Sequence, residues 1–81
     1  MFLHLGNGMT IRLKDLVSIH DYESFQSGDN KEFLESIMKE GRLLRAVEEG
    51  QQEKSLVVTR DFVYVSVISS GTLKRRAGFI E

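Results

Sequence analysis

The chain contains no cysteine and no proline, and it shows no internal repeat or low-complexity segment. The absence of cysteine excludes disulfides and thiolate metal sites, so the fold depends on packing within the chain or on self-association. A chain of 81 residues buries only about 60–65% of its unfolded surface, which makes its core modest.

Long apolar runs are also missing. The stretch Met1–Gly6 has neither the basic leader nor the continuous apolar segment of a signal peptide. No window approaches the roughly 20 apolar residues that a membrane span requires. Apolar residues make up 41% and charged residues 28% of the chain, ordinary values for a soluble protein. We therefore predict one cytoplasmic domain, residues 1–81, that does not associate with membranes.

Short apolar runs with a period of two predict a β-sheet. Gly6-Asn7-Gly8 supplies residues that tolerate the positive φ of a tight turn, and Arg60-Asp61 joins two β-branched runs, so two hairpins are expected. The segments 22–30 and 48–53 are polar and are predicted to be loops. The predicted strands are residues 2–5, 9–13, 16–20, 42–47, 55–59 and 62–68.

Two helices are predicted between and after these strands. In the main helix Asp29 is the expected N-cap, with Glu32 at capping-box spacing and Gly41 as the left-handed terminator. Its expected apolar face is Phe33, Leu34, Ile37 and Met38. A short C-terminal helix is bracketed by serine and by Gly78. This order of elements predicts an α+β domain with a small antiparallel sheet.

The strand at residues 62–68 is apolar on both faces. A strand of a half-solvated sheet would alternate more cleanly, so either a helix covers each face or the second face meets another subunit. With one strong helix available, we favour self-association, as expected of exposed apolar patches. The predicted oligomer interface is Phe62, Tyr64 and Ile68.

No arrangement of side chains predicts catalysis. His4 and His20 are the only histidines, and neither has ligand or base partners at a useful spacing. The adjacent side chains of His20 and Asp21 point to opposite faces of a strand. We predict a protein that is not an enzyme, with no metal and no cofactor.

Cations are concentrated near the C-terminus in the run Lys74-Arg75-Arg76. These side chains could contact phosphates, and Arg42 and Lys54 could extend the patch, so all five are candidate nucleic-acid contacts. The alternative is that cations at the end of a helix merely oppose its dipole and keep the surface solvated.

The sequence resembles the bacterial extracellular-matrix regulators RemA and RemB, most closely the RemB branch. The similarity lies in Leu3–Gly6, in Val17–Ile19, and above all in Ser55–Ser66 and Ser69–Arg76. It implies a LytTR-like fold and a transcriptional regulator of biofilm genes that binds DNA as a homo-oligomer, in the form of a ring. A ring would repeat each weak basic patch and so multiply modest contacts.

The chain departs from the RemA pattern at positions that carry DNA-binding arginines in that branch. Asp15 stands at the bend where RemA-type members have arginine, and Gln51 and Gln52 stand where they have an Arg-Arg pair. Two hypotheses therefore remain open. One is a DNA-binding oligomeric regulator that uses Lys74, Arg75 and Arg76, and the other is an adaptor that binds proteins through its apolar sheet surface.

Overall fold

Six strands and two α-helices make up residues 1–79, which the computed structural model describes. Strands β1 (Phe2–Gly6) and β2 (Met9–Arg12) form an antiparallel hairpin. A four-stranded sheet contains β3 (Leu16–Asp21), β5 (Ser55–Thr59), β6 (Val63–Ser66) and β4 (Leu43–Ala46), in that spatial order. The helices are α1 (Gly28–Lys39) and α2 (Ser70–Arg76), and single 3-10 turns occupy Leu13–Asp15 and Tyr22–Phe25.

The predicted α+β class, with one main helix and a short C-terminal helix, is confirmed. Two of the three strand pairings in the large sheet are antiparallel, whereas β4 runs parallel to β6, so the sheet is mixed. The reason is that α1 acts as a crossover between β3 and β4. It returns the chain to the end of the sheet where β3 began, so β4 points in the same direction as β3.

The start of the main helix differs from the prediction. The loop expected at residues 22–30 contains a 3-10 turn, and α1 begins at Gly28 after an extended Ser27, so Asp29 is not its N-cap. Asp29 instead lies in the first turn, where a carboxylate interacts favourably with the helix dipole. The helix ends at Lys39, and Gly41 is its left-handed terminator as predicted, with an amide that donates to the carbonyl of Met38.

Apolar side chains are buried on both sides of the large sheet. On one side the sheet packs against α1 and the Tyr22–Phe25 turn, and on the other it packs against hairpin β1–β2 and α2. The first cluster contains Phe25, Leu34, Ile37, Leu56, Val63 and Val65. The second contains Leu3, Leu5, Ile11, Ile19, Ala46, Val57 and Leu73.

The second face of residues 62–68 is therefore covered within the chain. Tyr64 and Ile68 are half-buried and pack against the cluster under the hairpin. Buried Ser66 donates a hydrogen bond of 2.6 Å to the carbonyl of Leu5. Phe62 alone among the predicted interface residues is exposed, at 38%. The predicted interface stays a prediction, but the uncovered face on which it depended is occupied by β1, β2 and α2.

Candidate nucleic-acid interface

Helix α2 is held on the sheet by one buried side chain and by polar contacts at its start. Leu73 is fully buried in the cluster under the hairpin. The N-cap is a serine, as predicted, and the structure identifies it as Ser69, whose hydroxyl accepts from the amide of Thr72 at 3.3 Å. Ser70 donates to the carboxylate of Asp21 at the end of β3. These contacts fix the helix relative to β3 and to the hairpin.

The end of α2 confirms the predicted role of Gly78. This residue has a φ of +87°, a left-handed conformation that glycine adopts without strain. The amide of Phe79 donates to the carbonyl of Lys74 at 2.8 Å, and the amide of Gly78 donates to that of Arg75 at 3.1 Å. This pair of bonds is a Schellman motif, and it ends the helix directly after the basic run. The three cations therefore occupy the last turn of the helix.

Lys74, Arg75 and Arg76 are all exposed. None forms an ion pair with any of the residues 1–79 that the structure describes, and Arg75 donates only to the hydroxyl of Thr72, at 3.3 Å. The four arginines outside α2 each lie within 4 Å of a carboxylate: Arg12 and Arg60 with Asp15, Arg42 with Glu40, and Arg45 with Glu53. The last turn of α2 thus holds arginines without a carboxylate partner in the described chain.

The other two predicted contacts lie apart from this turn and from each other. The amide of Lys54 bonds the carbonyl of Ser66, and its side chain shares a groove with Ser69, so it lies near the start of α2. Arg42 pairs with Glu40 and donates to the carbonyl of Asp61 at the opposite end of β6. The structure therefore does not gather the five predicted residues into one patch.

Carboxylates surround Lys54. The groove beside it has a volume of about 450 Å³ and is lined by Asp21, Glu23 and Glu53 as well as by Tyr22, Gln26, Gln52 and Ser69. These negative charges weaken the attraction of Lys54 for a phosphate. The last turn of α2 is the better candidate for polyanion contact.

Arg45 on β4 and Glu53 form a close ion pair, with 2.6 Å between guanidinium and carboxylate. The hydrogen bond from Arg45 lowers the pKa of the Glu53 carboxyl. The same bond raises the pKa of Arg45. The pair ties the loop before β5 to the edge strand β4 and removes Arg45 from the cations available to a ligand.

Asp15 binds two arginines, and only one of them is near it in the sequence. Its carboxylate accepts from the Nε of Arg12 at 2.9 Å and lies 3.9 Å from the guanidinium of Arg60. Its backbone carbonyl also accepts from the amide of Arg60, at 3.0 Å. The spacing Arg12–Asp15 is visible in the sequence, but the approach of Arg60 depends on the pairing of Leu16 with Thr59.

Gln51 has a structural role in place of a basic one. Its side-chain oxygen accepts from the amide of Asn7 at 2.6 Å and from the backbone of Glu48 at 2.8 Å. Asn7 also donates to the carbonyl of Ala46 at the end of β4. These bonds fasten the loop at 48–53 to the turn of hairpin β1–β2.

The two histidines lie apart on β1 and β3. His20 contacts Ser18 at 2.9 Å and packs against the ring of Phe25, with centroids 5.3 Å apart. Within residues 1–79, no three histidine, aspartate or glutamate side chains are grouped so that they could hold a metal ion. The described helices are all too short and too polar to cross a membrane.

Comparison with known proteins connects this geometry to a regulatory family. Residues 2–77 match the RemA-like family, described as extracellular matrix regulatory protein A-like. The chain is also 35% identical over 80 residues to Extracellular matrix regulatory protein B of Bacillus subtilis (strain 168), an alignment that covers 99% of this chain and 94% of the relative. The chain therefore belongs to the RemA-like family of extracellular matrix regulatory proteins.

Proposed function

We propose that this protein is a cytoplasmic transcriptional regulator of extracellular-matrix and biofilm genes that binds DNA as a homo-oligomer. Family membership supports the regulatory role. The observation that supports DNA binding is the last turn of α2, where Lys74, Arg75 and Arg76 are exposed while the other four arginines are bound to carboxylates. Exposed lysine and arginine contact DNA phosphates through charge and hydrogen bonds.

Self-association would make this small patch effective. Three cations on one copy release few counterions, so one copy alone binds weakly. Several copies held together present the patch repeatedly along a duplex, and each further contact forms at a high effective concentration. This mode of binding depends on contacts with phosphates and needs no contact with the bases. Because phosphate contacts release counterions, the affinity falls strongly as salt rises.

The alternative function is an adaptor that binds another protein and no DNA. The observation that favours it is Asp15, whose carboxylate lies within 4 Å of both Arg12 and Arg60 and lowers the net positive charge of this surface by one. An adaptor would bind its partner through exposed apolar side chains, and this association would persist at high salt.

Fluorescence anisotropy of a labelled duplex distinguishes the two functions. We expect wild-type affinity to fall steeply as salt rises. The variant Arg75→Gln/Arg76→Gln should bind at least about tenfold more weakly, and its salt slope should be smaller by about one unit for each phosphate that is no longer neutralised. The matched control is Lys31→Gln/Lys39→Gln, which removes the same charge from exposed positions on α1.

The control should bind within about twofold of the wild type, because α1 lies on the other side of the sheet from α2. Equal weakening in both double variants would mean that net charge, and not α2, determines binding. No wild-type binding even at low salt would overturn the DNA-binding proposal and leave the adaptor.

A further inference from the structure

Charge is divided between the two sides of the sheet. The segment 22–40, which contains α1, carries five carboxylates and two lysines. The segments 1–15 and 70–76, which form the hairpin side with α2, carry five cations and one aspartate. The two groups of residues pack on opposite faces of the same sheet. A chain with a net charge of −1 is thus strongly polarised.

The acidic side presents an aromatic side chain among carboxylates. Phe33 is 40% exposed, although it is next to buried Leu34 on α1. At 100° per residue, an arc of about 100° contains Phe33, Asp29, Glu32 and Ser36 of this helix together with its C-cap residue Glu40. We call these five residues the acidic stripe. Asp29 and Glu32 form no ion pair with any residue in the range 1–79.

The basic side presents an apolar groove at the open end of hairpin β1–β2. This hairpin groove has a volume of about 220 Å³ and is lined by Met1, Phe2, Arg12, Leu13 and Lys14. Phe2 is 69% exposed, and the lining is mostly apolar with two cations at its rim. A hydrogen bond of 3.0 Å from the amide of Leu13 to the carbonyl of Met1 holds the two walls together.

We propose that the acidic stripe of one copy docks into the hairpin groove of the next copy. Phe33 would enter the apolar groove as an anchor, and Asp29 and Glu32 would face Lys14 on its rim, which forms no ion pair with residues 1–79, whereas Arg12 beside it is already paired with Asp15. Aromatic anchors in pockets, with complementary charges around them, are the usual basis of specific association. This inference rests on the proposed homo-oligomer and identifies the surfaces that form it.

The two docking surfaces differ from each other and lie on opposite faces of the sheet. The contact is therefore head-to-tail, and a head-to-tail contact closes into a ring when its rotation permits. The last turn of α2 belongs to neither surface, so its cations stay available to DNA in the assembly.

A mixing experiment tests the head-to-tail contact. Light scattering at micromolar concentration should give the wild type a mass several times the 9.3 kDa of one chain. Phe33→Asp destroys the stripe and Phe2→Asp destroys the groove, so each variant alone should have the mass of one chain. An equal mixture should form a species of twice that mass, because each variant keeps the surface that the other lacks.

Control variants test whether loss of assembly is specific to Phe33 and Phe2. Met38→Asp and Phe62→Asp place the same charge on other exposed apolar residues, and both should keep the wild-type mass. Because Phe33 also contacts the ring of Phe25, Asp29→Asn/Glu32→Asn provides a second disruption that leaves that contact in place. Melting curves followed by circular dichroism check that every variant is folded.

Several outcomes would overturn the inference. These are a wild type with the mass of one chain, variants at Phe33 and Phe2 that keep the wild-type mass, or a mixture that stays at the mass of one chain. Loss of assembly in Phe62→Asp alone would place the interface on the β5–β6 hairpin. Anisotropy on the same samples tests DNA binding separately from docking. A wild type that assembles but binds no DNA would overturn the DNA-binding proposal and leave the docking proposal standing.

Discussion

Among the described residues, Asp15 is the only carboxylate that lies within 4 Å of two arginines. One carboxylate serves two arginines, Arg12 and Arg60, and each of those side chains is more than half exposed. Exposed ion pairs of this kind contribute only about 0.2–1 kcal/mol each to stability. Their larger effect is electrostatic, since the carboxylate cancels positive potential at the bend between β2 and β3.

We predict that Asp15→Asn raises the affinity for a DNA duplex at low salt. The expected gain is roughly two- to fivefold, the size of one exposed ion pair. Asp61→Asn is the control, because it removes the same charge from a residue whose side chain pairs with no described cation. Anisotropy titrations that give the two variants equal gains would contradict a specific role for Asp15.

Glu53 makes the stability of the fold depend on pH. Because Arg45 lowers its pKa in the folded state, the pair stabilises the fold above the ordinary glutamate value of 4.5 and loses this effect as pH falls through the lower folded value. We expect Glu53→Gln to be less stable than the wild type near neutral pH and to approach it in acid. Urea unfolding across pH measures this, with Glu49→Gln as the exposed control.

At the scale of elements, the docking of the hairpin on the sheet depends on the absence of one side chain. Gly6 has a φ of +108°, and a Cβ placed there would lie 2.6 Å from the Cγ2 of Val67. The turn approaches the end of β6 this closely because Ser66 bonds the carbonyl of Leu5 and Asn7 bonds that of Ala46. A side chain at residue 6 would therefore require Val67 or the turn to move.

We predict that Gly6→Ala destabilises the fold more than Gly8→Ala does. Both residues have positive φ, so both variants bear the conformational cost of about 1–2 kcal/mol. A Cβ at Gly8 meets nothing within 4 Å, whereas at Gly6 overpacking against Val67 adds about 1–3 kcal/mol. Urea midpoints that coincide for the two variants would show that the turn moves away from the sheet without cost.

At the scale of the whole molecule, the sequence predicts what is encoded locally. Helix α2 is predictable at both ends because Ser69 and Gly78 act on their own neighbours. The parallel pairing of β4 with β6 has no local signal in the sequence, because a short apolar run is compatible with either strand direction. The sequence also does not predict that residues 2–12 cover the second face of the sheet. Periodicity shows that a face is apolar but not which segment packs on it.

The candidate site is likewise only partly predictable from the sequence. The run Lys74-Arg75-Arg76 and its place at a helix end are readable from the sequence. The separation of Arg42 from Lys54 depends on strand order, and the pairing of Arg60 with Asp15 depends on register. Neither follows from spacing along the chain.

The packing of the first strand against the last helix has a consequence for biosynthesis. Leu3 and Leu5 are buried in the same cluster as Leu73, some seventy positions later in the chain. While the carboxyl-terminal helix is still inside the ribosome, those leucines have no complete core to enter. Until residues 70–76 have left the ribosome, this cluster stays open on the side that α2 covers, and its completion is a slow long-range step.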